Sequence, residues 1–176
     1  MKRIFLLTCI GCLGLLGSAS AQEAPIRFDF GGGEVAGGYI GVSATTAYSP
    51  TLGYGFEDGA NITEVVRKPK RKKATIDSLC YDFSVKLPEG NYQVTVYLGD
   101  PMGTSRTTVK AETRRLMLES IETTKGQIRK ETFNVNIRTP KLSAGNTIKL
   151  DSHEWDAATG QIKTKTWDDK LTLQFN

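Results

Sequence analysis

Histidine occurs once in this chain and cysteine three times, in 176 residues. That scarcity removes whole classes of chemistry. Zinc sites draw on clusters of Cys and His, and His153 stands by itself. Cys9 and Cys12 lie close to the start, which leaves Cys80 as the one thiol in the body of the chain. The fold is therefore expected to stand without a disulfide, with Cys80 packed in or beside the core. The phosphate-cradling G-x-x-x-x-G-K-[ST] loop is absent, as are a G-x-G-x-x-G between strand and helix and a G-x-S-x-G nucleophile elbow. Beyond the first stretch no apolar run is long enough to span a bilayer. No cofactor, nucleic-acid partner or membrane partner is expected from this inventory.

What is present begins with an address. A charged "MKR" leads into the apolar "IFLLTCIGCLGLLG" and then into small residues that end at Ala19-Ser20-Ala21. This is the pattern of a signal peptide over residues 1–21, cut before Gln22, and it predicts a secreted or periplasmic protein. Residues 22–176 then form a single module, long enough for a real core. Without Lys2 and Arg3 the 23 basic residues become 21 against 19 acidic, and without the six in "RKPKRKK" they become 15 against 19. The chain is mildly acidic with one basic segment, Arg67 to Lys73, expected as an exposed loop or strand extension. Such a segment meets water or holds a polyanion.

From Ile26 onward the apolar period is two, the signature of strands with one buried face. In "YDFSVKLPEGNYQVTVYLGD" the residues Phe83, Val85 and Leu87 alternate with Asp82, Ser84 and Lys86, and Tyr92, Val94, Val96 and Leu98 repeat the pattern after "PEGN", read as a hairpin turn. The pattern returns in "TFNVNIRT" and "KLTLQF", and shorter strands are expected at "IRFDF", "TTVKAET" and "TIKLD". Many short strands predict an all-β, antiparallel β-sandwich. Only "AETRRLMLESIE", rich in helix formers, disputes this.

"YLGDPMGTS" places a Gly-Asp pair at a strand end with Ser105 behind it, which raises the question of a serine nucleophile. Pro101 stands directly after Asp100, however, and the only base is His153, two residues from Asp151. An ester-hydrolysing set of Ser105, His153 and Asp151 or Asp100 is the weaker reading. A strand end followed by a turn accounts for the same residues. The glycines of "FDFGGGEVAGGYIG" are expected to permit turns or a bulge. Asp168 and Asp169, adjacent near a strand, would point to opposite faces and make a poor catalytic pair. No catalytic residue is assigned. Aromatic side chains near turns, among them Tyr39, Tyr48, Tyr54, Phe56, Trp155 and Trp167, offer faces on which sugars stack, or else they close the ends of the core. Asn134, Asn136 and Arg138 form a polar comb on the outer side of one strand.

Taken in order, "FDFG", "GYGF", "FSVKLPEGNYQVTVYLGD", "TTVKAETRRLMLE", "FNVNIRTP" and "WDDKLTLQFN" resemble the N-terminal β-sandwich module of bacterial rhamnogalacturonan acetylesterases of the GDSL (SGNH) class. The resemblance implies a galactose-binding-like jelly roll, favours strand for "RRLMLE", and puts the nucleophile motif in a separate esterase domain beyond the segment like "WDDKLTLQFN". The function expected is a non-catalytic carbohydrate-binding or scaffolding module of a secreted pectin-degrading system. The alternatives are the N-terminal part of a longer carbohydrate esterase and a single-domain serine esterase. Expected partners are a rhamnogalacturonan-like plant cell-wall polysaccharide or a neighbouring esterase domain. Tyr54, Phe56, Trp155 and Trp167 are the expected sugar-facing aromatics, with Glu112, Arg114 and Arg138 as polar contacts. Structural calcium enters by analogy with sugar-binding sandwiches, resting on acidic residues such as Asp29 and Asp169.

Overall fold

In the computed structural model the period-two stretches become strands, and no helix occurs among the described residues. Those are residues 3–7, 24–31, 34–57, 62–67, 73–77, 80–112, 115–141, 145–146, 152–156, 161–165 and 168–176. In chain order the strands are β1 (Arg3–Leu7), β2 (Ile26–Phe30), β3 (Ile40–Val42), β4 (Tyr54–Phe56), β5 (Thr63–Arg67), β6 (Lys73–Asp77), β7 (Tyr81–Lys86), β8 (Gly90–Leu98), β9 (Ser105–Ala111), β10 (Arg115–Thr123), β11 (Arg129–Ile137), β12 (Ser152–Asp156), β13 (Gln161–Lys165) and β14 (Lys170–Phe175).

Two five-stranded sheets form a β-sandwich. The first has the order β11-β8-β1-β2-β3 and the second β10-β9-β14-β7-β4, while β5-β6 and β12-β13 are separate hairpins. Pairing between strands is antiparallel except for β2 with β3. β1 belongs to the segment read as a leader, and it takes the middle position of the first sheet. The basic segment joins β5 to β6, with Arg67 registered on Lys73. Residues 68–72 and the whole of "TIKLD" lie outside the described residues.

Three expectations are decided by the structure. "PEGN" does not close a hairpin: β7 lies in the second sheet and β8 in the first, so the turn carries the chain from one sheet to the other. Each strand has one apolar face, and stacking the two faces buries both, which pairing side by side would not. Second, the strand that the resemblance favours for this stretch is found, against the helical alternative: β10 is "RLMLESIET", paired along β9 with register shifts on either side of Leu118. Pairing overrides its helical propensity. Third, Cys80 is exposed. It stands at the bend before β7, and inward alternation begins one residue later at Tyr81.

Phe83 is the hub of the core. Its ring meets Phe28 at 5.2 Å, Phe30 at 4.8 Å and Phe56 at 5.4 Å, all near edge-to-face. Phe28 and Phe30 come from β2 and Phe56 from β4, so the cluster ties the two sheets together. Tyr81 continues it, edge-on to Phe56 and stacked on Phe175. Val94, Val96, Leu98, Val109, Leu171 and Leu173 fill the space around these rings.

Candidate functional site

Alternation along β14 sends Leu171, Leu173 and Phe175 into the core, and so turns Lys170, Thr172 and Gln174 to the outer face of the second sheet. β7 does the same with Ser84, registered on Thr172, and their hydroxyls lie 2.7 Å apart. Ser84 is fully buried despite its outward position. Beside it the sheet is covered by the segment around Ala47 and Tyr48, whose Tyr48 N–H donates to Phe56 O and whose Thr46 O accepts from Phe56 N–H. Gly55 makes this cover possible. Its φ is 145°, and a Cβ there would fall 2.5 Å from both Ala47 C and Tyr48 N.

The cover delivers Tyr48 to Lys170, whose ammonium sits 4.5 Å above the ring centroid. The same ammonium donates to Glu57 Oε1 at 2.6 Å and lies 3.7 Å from Asp168 Oδ2. Glu112 completes the group from the end of β9: its carboxylate accepts the Thr172 N–H at 3.2 Å, and its own N–H donates to Thr172 O. Glu112 has φ 48°, a left-handed conformation uncommon for a residue with a side chain. Strain of this kind collects at functional sites.

The charges respond to partial burial. Desolvation pushes the Glu112 carboxyl up to about 7; the Thr172 N–H opposes this, Asp168 adds to it and Arg115 opposes it. Asp168 is also raised, by desolvation first and despite Lys170. Burial by itself would lower Lys170, but the hydrogen bond and charge of Glu57, with Asp168 and Tyr48, raise it overall. Because Glu112 keeps its proton in the folded state where the unfolded chain has lost it, stability falls as pH rises from 4.5 toward 7. Glu112→Gln is expected to flatten that slope. Solvent reaches part of the group, so the change is on the order of 1 kcal/mol. Urea unfolding of both proteins at pH 5 and pH 7.5 measures it.

Of the residues expected to face sugar whose side chains are among the described ones, the structure brings only Glu112 into this group. Phe56 is 3% exposed, belongs to the core and offers no face to a ligand. Tyr54 is half-buried, its ring 5.2 Å from Phe28 on the core side. Both sit at register positions opposite core residues of β7, Tyr54 on Val85 and Phe56 on Phe83, which turns them inward. Arg138 directly follows β11 of the other sheet, where it donates to Asn136 Oδ1 while Asn136 donates to Asn91 Oδ1 of β8, so these two members of the polar comb are engaged within the protein. Trp155 is registered on Ile162 in the β12–β13 hairpin. Its side chain, with Arg114 and Trp167, lies outside the described residues. Tyr48, Glu57, Asp168 and Lys170 were not singled out as a site. "WDDK" does put Asp168 and Lys170 two apart, the spacing of one strand face. Glu57, 113 residues before Lys170, left no local signal.

Ser105 and Asp100 have structural tasks. Ser105 Oγ lies 2.8 Å from Thr123 Oγ1 across β9 and β10. Asp100 Oδ1 accepts the Met102 N–H, the side-chain turn that Asp favours after a strand. The Gly99 before it has φ 140° and packs against Gln127 O. Asp29 is buried in β2 and accepts the Ala36 N–H, whereas Asp169 is exposed and pairs with Lys86. Among the described residues no three His, Cys, Asp or Glu side chains come together in a way that would hold a metal ion.

Comparison with known proteins adds the following. Residues 26–147 match the family model for the galactose-binding-like domain of β-agarase/YxiM-type esterases. The chain is 35% identical over 120 residues to the uncharacterized esterase YxiM of Bacillus subtilis strain 168, a match that takes in 64% of this chain and 31% of that protein. It is also similar to the crystal structure of YxiM from Bacillus subtilis, with a TM-score of 0.50 and 30% identity over 84% of this chain and 39% of that one. The chain thus spans well under half the length of the relatives it matches.

Proposed function

Since the chain belongs to the family of galactose-binding-like domains found in β-agarase/YxiM-type esterases, we propose that it is a non-catalytic carbohydrate-binding module of a secreted polysaccharide-degrading esterase system. The observation that carries this is the group of Tyr48, Glu57, Asp168, Lys170 and Glu112 on the outer face of the second sheet. An aromatic ring beside carboxylates and one ammonium is the equipment for a sugar: the ring packs against C–H faces, and the charged groups bond the hydroxyls. The resemblance to rhamnogalacturonan acetylesterases makes a rhamnogalacturonan-like polysaccharide the first candidate. Even with Glu112 holding its proton, the carboxylates of Glu57 and Asp168 outnumber the one ammonium, which favours neutral sugar units over uronates because like charges repel.

Calorimetry with neutral galactose-based oligosaccharides and with oligogalacturonate tests this. The neutral series is expected to bind more tightly, and Tyr48→Ala or Lys170→Met to weaken it about tenfold, equivalent to about 1.4 kcal/mol. Equal affinity for wild type and both variants would remove the site from consideration. The same preparations are expected to leave 4-nitrophenyl acetate unhydrolysed. Turnover lost in Ser105→Ala would instead revive the single-domain esterase.

A further inference from the structure

We infer that the first sheet contains a strand slot between β2 and β8, which β1 fills in the unprocessed chain and which an apolar strand of a partner polypeptide fills once the leader is removed. β1 is paired on both sides: residues 3–6 are registered on residues 29–26 of β2, and residues 3–7 on residues 97–93 of β8. It is also the strand that the charged, apolar and small-residue pattern before Ala21 marks for cleavage. Processing would therefore take out the centre of a five-stranded sheet and leave two facing backbone edges.

β2 and β8 cannot simply close the gap. Both run antiparallel to β1, so they are parallel to each other and two strand spacings apart, roughly 9.6 Å. Moving β2 across would drag Phe28 and Phe30 off Phe83. The edges are also next to the core, since Phe28, Val94 and Val96 are all fully buried. Leaving their backbone groups unpaired is costly, and a strand added between them is the ordinary remedy.

The register states what fits. The occupant runs antiparallel to both neighbours for about five residues and contains no proline, because both of its edges are paired. Position 4 of β1 is registered on Phe28 and Val96, and position 6 on Ile26 and Val94, so an occupant needs apolar residues at these alternate places. The partner assigned is an esterase-type polypeptide, because the matched relatives carry most of their length outside this module.

The test compares the full chain held in the cytoplasm with the same chain after export, each checked by intact mass. Amides of β2 and β8 are expected to exchange on the order of 100-fold faster in the exported form, with β7 and β14 unchanged. A peptide of residues 2–8, KRIFLLT, added in trans is expected to restore protection and raise the melting temperature, and its Phe5→Pro version to do neither. If the exported chain does not fold, a peptide-dependent gain in refolding yield serves as the same readout. Several results overturn the inference: export with residues 1–21 retained, β2 and β8 equally protected without peptide, protection supplied by a dimer of exported chains, or no peptide effect on exchange or refolding. Glycan binding on the second sheet is measured separately, so loss of either reading leaves the other standing.

Discussion

Replacing Phe83 by alanine is expected to destabilise the module by about 3–5 kcal/mol, enough to unfold much of it at ordinary temperature. The size follows from its position. Phe83 is fully buried, and its ring touches Phe28 and Phe30 of the first sheet as well as Phe56 of its own. Truncation removes the transfer contribution of the ring and leaves a cavity bounded by three aromatic rings that β-sheet pairing holds in place, so little collapse can offset it. Phe83→Leu keeps most of the volume and is expected to cost less than half as much. Urea denaturation followed by tyrosine fluorescence and far-ultraviolet circular dichroism reads both variants. A Phe83→Ala protein as stable as wild type would mean that the two sheets are not held together by this cluster.

Gly55→Ala is the second large effect, and it links the fold to the site. The glycine has φ 145°, a conformation that side-chain residues rarely adopt, and its outer face lies against the backbone of Ala47 and Tyr48. A methyl group has to push that segment off the sheet. The expected cost is about 1–3 kcal/mol, with Tyr48 carried away from Lys170 and the proposed sugar affinity lost with it. Gly53→Ala is the control. It also has a positive φ, 76°, but its added Cβ would meet only Lys86 Cβ, at 3.8 Å. It should be modestly less stable and bind as wild type does. If Gly55→Ala binds normally, the cover segment does not set the position of the ring that matters.

The two substitutions mark the limit of what was legible in the sequence. Phe83 could be placed in the core from its alternation with Asp82 and Ser84 alone, and the same holds for Val94, Val96, Leu171 and Leu173. Gly55 carries no such signal, since "GYGF" does not say which backbone will lie against it. Glu112 and Tyr48 are each among the sugar-contact candidates of the sequence, but nothing in it joins them to Glu57, Asp168 and Lys170. For Phe56 the sequence leaves a sugar-facing and a core role open, and pairing with β7 decides for the core.

Strand content, the inward set of residues and the sandwich class were determined by the sequence by itself, because a period of two expresses the geometry of one strand and needs no knowledge of its neighbours. Tertiary structure decided the rest. It sent β7 and β8 to different sheets, set Leu116–Ile121 as strand rather than helix, put β1 between β2 and β8, and gathered Tyr48, Glu57, Glu112, Asp168 and Lys170 from separate parts of the chain. These outcomes depend on which surfaces meet across long sequence separations. The free energy of such meetings comes from burial and pairing shared between segments, and a local pattern does not contain it.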